Sequence, residues 1–94
     1  MAIPHVILFA DANCAGNHTH VCEAQSFISW FNDVTSSFVI LEGRWNFFVD
    51  ANFENQMGPG GGRTLGPGVY NWIEDPNVLG PGTNDRLSSL KPVG

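Results

Sequence analysis

The chain has 94 residues and a formal net charge of −5, from 4 Lys and Arg against 9 Asp and Glu. That length holds one domain with one modest core, and hydrophobic residues at 43% with aromatics at 12% exclude a disordered chain. No Lys/Arg run supplies the cation cluster that nucleic acid needs, and no apolar run approaches the roughly 20 residues of a membrane-spanning helix, so neither nucleic acid nor membrane is an expected partner.

Met1-Ala2-Ile3-Pro4-His5 lacks the basic-then-apolar pattern of a signal peptide. Val6 to Phe9 reads as the first strand from its β-branched and aromatic content. Asp11 to Asn17 is a turn, and Glu23 to Phe31 is the only stretch with a possible helical turn, too short to organise the fold. After the loop from Asn32 to Ser37, Phe38 to Leu41 and Trp45 to Val49 read as strands. Met57 to Gly68, rich in Gly and Pro, is a surface loop by composition. Val69 to Ile73 is the last predicted strand and Pro76 to Asp85 the last long turn. Short strands separated by frequent turn signals predict an all-β sandwich or barrel.

The chain repeats itself. Phe9-Ala10-Asp11-Ala12-Asn13 recurs as Phe48-Val49-Asp50-Ala51-Asn52, and Asn32-Asp33-Val34-Thr35-Ser36-Ser37 recurs as Asn84-Asp85-Arg86-Leu87-Ser88-Ser89. Each half is an aromatic hairpin followed by an Asn-Asp-x-x-Ser-Ser turn, and the difference in spacing falls in the Met57 to Gly68 loop. A duplication of this size predicts a single domain over 1–94 built from two four-stranded Greek keys packed face to face, one over about 4–42 and the other over about 43–93.

A hard cation such as Ca²⁺ takes six to eight oxygen ligands. Each Asn-Asp-x-x-Ser-Ser copy supplies a carboxylate (Asp33, Asp85), an amide (Asn32, Asn84), hydroxyls (Ser36, Ser88) and free turn carbonyls. Turn preference alone accounts for one such copy. Two copies at equivalent repeat positions favour a shared pair of sites, since one carboxylate is thin for a calcium ion.

The aromatic-x-x-x-x-aromatic-x-Gly hairpin followed by this turn resembles the microbial βγ-crystallin domains. The resemblance spans about Pro4 to Val93, including Gly43-Arg44-Trp45 and Leu65-Gly66-Pro67-Gly68-Val69-Tyr70. It implies a βγ-crystallin-like sandwich of two Greek-key motifs that binds two Ca²⁺, each loop giving ligands to both sites. Carried over residue by residue, Asp33 and Asp85 would give side-chain oxygens, Ser36 and Ser88 hydroxyls, and Val34 and Arg86 main-chain carbonyls. Ala10 or Val49 would add another main-chain carbonyl, while Asn32 and Asn84 would brace the loops.

Two positions depart from the pattern. Asn55 stands where the hairpin has Gly, and Asn is among the residues best suited to the left-handed conformation required there. Cys14 stands where the second repeat has Phe53, with Cys22 eight positions later. Two cysteines on opposing arms of one hairpin suggest a disulfide in place of an aromatic contact, which would favour an extracellular location; the alternative is two free thiols. Cys14, His18, His20 and Cys22 are also residue types that zinc accepts, though not at a zinc-finger spacing.

Gly58-Pro59-Gly60-Gly61-Gly62-Arg63 lacks the ending of a phosphate loop, no nucleophile motif is present, and Glu23, Glu42, Glu54 and Glu74 read as a solvated face. The expectation is a non-enzymatic, monomeric, calcium-stabilised domain. The alternative is a structural or partner-binding domain (toxin, inhibitor or carbohydrate-binding) on the same scaffold, with Met57 to Gly68 as its contact surface.

Overall fold

A computed structural model describes residues 3–93. β1 (His5–Asp11), β2 (Ala15–Val21), β3 (Ser37–Glu42), β4 (Arg44–Asp50), β5 (Glu54–Gln56), β6 (Gly68–Tyr70) and β7 (Ser89–Val93) form two antiparallel sheets, ordered β2-β1-β3-β6 and β5-β4-β7. The halves exchange segments. β6, from the second half, pairs with β3, while Gln25, from the first, bridges Leu90 on β7 through both of its backbone groups, at 2.9 and 3.2 Å.

Strand alternation sends one face of each sheet inward. Val6, Leu8, Phe38 and Ile40 of the first sheet meet Trp45, Phe47 and Leu90 of the second, all buried. Phe38 and Phe47 touch across the sandwich with ring centroids 4.6 Å apart, and Tyr70 stacks on Phe38 at 4.9 Å. Truncating such a buried Phe to Ala costs roughly 3–5 kcal/mol, so this aromatic column is a main part of the core. The Tyr70 hydroxyl donates to the Gly66 carbonyl at 2.6 Å, and burial pushes the phenol above its ordinary range.

The four predicted strands are present, with one shortened. Backbone pairing of the segment after Val69 stops at Tyr70, and the Ile73 amide donates instead to the Ser36 carbonyl at 2.8 Å, which turns the buried Ile73 into the core. β2 and β7 escaped prediction for opposite reasons. β2 is an edge strand whose residues are mostly exposed and polar. β7 contains Pro92, which an edge strand tolerates because its amide is not needed for the ladder. Within Glu23 to Phe31 only a 3₁₀ turn forms, Ser29–Phe31, burying Phe31 while Trp30 stays 53% exposed.

The two hairpin tips are built alike. Asn13 and Cys14 in one, Asn52 and Phe53 in the other, all have φ between 55° and 62°. The Ser37 hydroxyl donates to the Asp11 carbonyl at 2.5 Å and accepts from the Cys14 amide at 2.9 Å. The Ser89 hydroxyl repeats this with the Asp50 carbonyl at 2.6 Å and the Phe53 amide at 3.2 Å. Asn55 has φ 60° where its counterpart Gly16 has 81°, as its amide type allows, and it donates to the Asp50 carboxylate.

The expected Cys14–Cys22 disulfide is corrected: both thiols are free. Cys14 belongs to the hairpin tip, and Cys22 follows Val21 at the far end of the same arm. The seven residues of β2 lie between them, on the order of 20 Å at ~3.3 Å per residue, against the ~7 Å that a disulfide allows between Cα atoms. His18 takes the role that the aromatic Phe53 has in the other half. Its ring packs on Phe9 at 5.7 Å, the same separation as Phe53 from Phe48.

Ser37→Ala and Ser89→Ala each leave a hairpin amide and carbonyl unpaired, and each should lower stability by about 1–3 kcal/mol in urea unfolding. Tyr70 is the chain's single tyrosine, so tyrosinate absorbance reads it alone. With its pKa raised in the folded state, the stabilisation from the neutral phenol is complete below the unfolded-state pKa and is lost as pH rises through the folded one; Tyr70→Phe removes that alkaline loss. A thiol reagent added to the unreduced, unfolded chain titrates both cysteines, and a reductant leaves the melting temperature unchanged.

Candidate metal centre

The loops Asn32 to Ser37 and Asn84 to Ser89 lie against one another and are pinned symmetrically. The Ser36 amide donates to the Phe9 carbonyl at 2.9 Å and the Ser88 amide to the Phe48 carbonyl at 3.1 Å, tying each loop to the hairpin of its own half. The loops also hold each other, because the Asp33 amide donates to the Leu87 carbonyl and the Asp85 amide to the Thr35 carbonyl, both at 3.1 Å. Asp33 and Asp85 have φ 59° and 58°, the left-handed conformation that Asp and Asn tolerate better than most residues.

This geometry crosses the ligand types between loops. The Ser36 hydroxyl lies 3.3 Å from an Asp85 carboxylate oxygen, and the Ser88 hydroxyl lies 3.4 Å from an Asp33 carboxylate oxygen. Both serines are buried, at 6% and 7% exposure, while both aspartates are exposed. A hydroxyl from one loop and a carboxylate from the other therefore meet at each of two related points. Among the described residues, no backbone amide or side chain donates to the Val34 or Arg86 carbonyl, and Arg86 itself is exposed.

The symmetry breaks at the first position of each loop. The Asn84 side-chain oxygen accepts from Ser36 at 2.6 Å, whereas the Asn32 side-chain oxygen is buried with no partner, as is the Thr35 hydroxyl. The hydroxyl, carboxylate and free carbonyl oxygens of the two loops are the donor types that suit a hard cation. The donor set is poor in charge: among the described residues no three His, Cys, Asp or Glu side chains converge as a metal-binding group, and each half of the centre contributes one aspartate. Asn84 thus links the two loops through its side-chain oxygen, and Asn32 makes no such bond through its own.

One residue of this region was missed. The Glu74 carboxylate accepts from the Gly82 and Asn84 amides, both at 3.1 Å, and so holds the approach to the second loop. A single Glu among scattered acids carries no sequence signal of that role. The zinc-type set is not assembled either, because Cys14 and Cys22 flank opposite ends of β2. The Met57 to Gly68 loop is locked by Arg63, which donates to the Pro76 and Val78 carbonyls, each at 3.2 Å. It leaves a shallow groove of about 380 Å³ lined by Gly58, Pro59, Pro76, Leu79, Gly80 and Pro81.

The sequence profile of the family described as Beta/Gamma crystallin matches residues 5–93. Among solved structures, a beta gamma crystallin from Ciona intestinalis is 30% identical with a TM-score of 0.75, covering 95% of this chain and 99% of that one. A betagamma-crystallin from an archaeon is 25% identical with a TM-score of 0.77, covering 98% and 100%. A transition-metal-ion-binding betagamma-crystallin from Methanosaeta thermophila is 30% identical with a TM-score of 0.74, covering 94% and 99%. Comparison with curated protein sequences finds no match. With two interlocked hairpin-and-loop repeats in a two-sheet sandwich and a family profile running from His5 to Val93, the chain belongs to the βγ-crystallin family.

Proposed function

We propose that this is a non-enzymatic calcium-binding domain that takes two Ca²⁺ through its paired loops and is stabilised by them. The observation that carries the reading is the crossed pairing of Ser36 with Asp85 and of Ser88 with Asp33. One ion would be held by the Asp85 carboxylate, the Ser36 hydroxyl and the Val34 carbonyl. The other would be held by the Asp33 carboxylate, the Ser88 hydroxyl and the Arg86 carbonyl. Main-chain carbonyls at Ala10 and Val49, next to the residues that anchor the loops, and water would complete the shells.

Bound ions would supply charge neutralisation and cross-linking of the two loops. Two Ca²⁺ would take the formal charge from −5 to −1, easing repulsion in an acidic chain. The Methanosaeta thermophila neighbour binds transition-metal ions on this scaffold; the all-oxygen donor set of these loops selects a hard ion instead. The partner-binding alternative has the groove beside Pro59 and Pro76 in its favour, but its lining offers no charged or hydroxyl side chain to orient a sugar.

An ion that binds only the folded loops adds about 2.7 kcal/mol per site at a hundredfold excess over Kd. For a domain of this size that raises the melting temperature by on the order of 10 °C. Thermal unfolding with excess EDTA, with CaCl₂ and with MgCl₂ should show the rise with calcium and little with magnesium. The double substitution Asp33→Ala and Asp85→Ala should abolish it, and an unchanged rise in that variant would place the ligands elsewhere.

A further inference from the structure

The chain has three histidines, and the fold gathers all of them on the outer face of the first sheet, away from the loops. Val6 and Leu8 of β1 point into the core, so His5, Ile7 and Phe9 face out. The β1–β2 register sets Ile7 opposite His20 and Phe9 opposite His18. His5 Nε2 lies 2.8 Å from His20 Nδ1, with ring centroids 5.1 Å apart. His18 stands edge-on to His20 at 5.4 Å and packs on Phe9. His5 pairs on its other side with Glu42 of β3, which places a carboxylate on the adjacent strand. His5 is four residues from Phe9 and His20 lies opposite Ile7, two residues from it, on the order of 13 and 7 Å along the strand, so the pair does not include the Phe9 carbonyl that anchors the loop centre.

Two facing imidazole nitrogens cannot both carry hydrogen. When each ring keeps its proton on its outer nitrogen, two lone pairs converge on one point, and a metal ion can take the place of the shared hydrogen. Metal–nitrogen bonds of ~2.0–2.1 Å put two nitrogens about 2.9 Å apart at a right angle and about 3.4 Å apart at a tetrahedral angle. The observed 2.8 Å is the length of one hydrogen bond shared between the rings, and it lies nearer the right-angle value, the cis geometry of octahedral or square-planar ions, than the tetrahedral one. We propose that His5 and His20 form a two-nitrogen site for a borderline divalent transition-metal ion, Ni²⁺ or Cu²⁺ ahead of Zn²⁺, with water filling the open positions. His18 flanks the site, edge-on to His20, without supplying a ligand.

The test is calorimetric titration of the full chain, without a polyhistidine tag, with NiCl₂ and separately with ZnCl₂ in the presence of excess CaCl₂. One nickel ion per chain binds, more tightly than zinc. His5→Gln and His20→Gln each weaken nickel at least tenfold, whereas His18→Gln changes it less than threefold and the Asp33→Ala/Asp85→Ala variant binds it as the wild type does. Both test histidines lie on the outer face, so circular dichroism and melting of the variants should match the wild type. Paramagnetic broadening by Ni²⁺ gives a readout on the unaltered chain, with the His5 and His20 ring resonances lost first. Absence of nickel binding to the wild type, unchanged affinity in His5→Gln and His20→Gln, or zinc bound more tightly than nickel would each overturn the site. Loss of nickel binding only in the aspartate variant would move the ion to the loops, so failure here is distinct from failure of the calcium reading.

Discussion

Two buried serine hydroxyls hold the architecture at its most improbable points. Each hairpin tip places two consecutive non-glycine residues in the left-handed region, at a cost on the order of 1–2 kcal/mol per residue. Ser37 and Ser89, both fully buried, offset that cost by satisfying one amide and one carbonyl of the tip at once. With the tip folded back, the Phe9 and Phe48 carbonyls meet the Ser36 and Ser88 amides. The preceding serine of each Ser-Ser pair is thereby turned towards the opposite loop, where its hydroxyl faces an aspartate. Adjacent serines thus divide the work, one bracing the hairpin and the other presented to the shared centre.

This coupling also explains why the loops are ordered before any ion is considered. They are cross-bonded by the Asp33 and Asp85 amides and anchored to both sheets, so under the proposed reading a cation would meet donors already placed, at little cost of organising them. The exchange of β6 and of the Gln25 bridge between sheets adds to this, since neither half can close its own sheet alone.

How much of this was legible in the sequence depended on whether the signal was local. The repeat, the alternating core strands and the tolerance of Asn55 for a left-handed turn were readable because each rests on a residue's own conformational preference or on short-range periodicity. The Cys14–Cys22 bridge misled because a separation of eight positions suits two arms of a hairpin as well as two ends of one arm, and only the turn at Ala12 to Cys14 decides between them. β2 was hidden by its exposed polar face and β7 by Pro92. The exchange of β6 rests on three residues, Gly68-Val69-Tyr70, pairing with Phe38 to Ile40 some thirty residues earlier. No local pattern encodes that. Glu74 is the same case at the site, an acid whose role depends wholly on where Gly82 and Asn84 come to rest.

The pseudo-two-fold symmetry is broken within the proposed cation centre. Ser36 donates to Asn84 at 2.6 Å and also lies near Asp85, and the backbone ahead of Asn84 is held by Glu74. Ser88 has only the longer 3.4 Å contact with Asp33, and the neighbouring Asn32 oxygen has no partner. A hydroxyl can offer a lone pair to a cation only where its own hydrogen points elsewhere. At the Ser36–Asp85 point, the hydrogen already has a short bond to Asn84 that turns it away from the carboxylate. At the Ser88–Asp33 point no amide takes the hydrogen, so it must be redirected before the oxygen can serve a cation. The duplicated sequence therefore folds into two inequivalent half-centres, one with its hydroxyl already oriented by an amide and one without such a partner, and the difference originates in two asparagines at identical repeat positions, of which only Asn84 accepts from the opposite loop's serine.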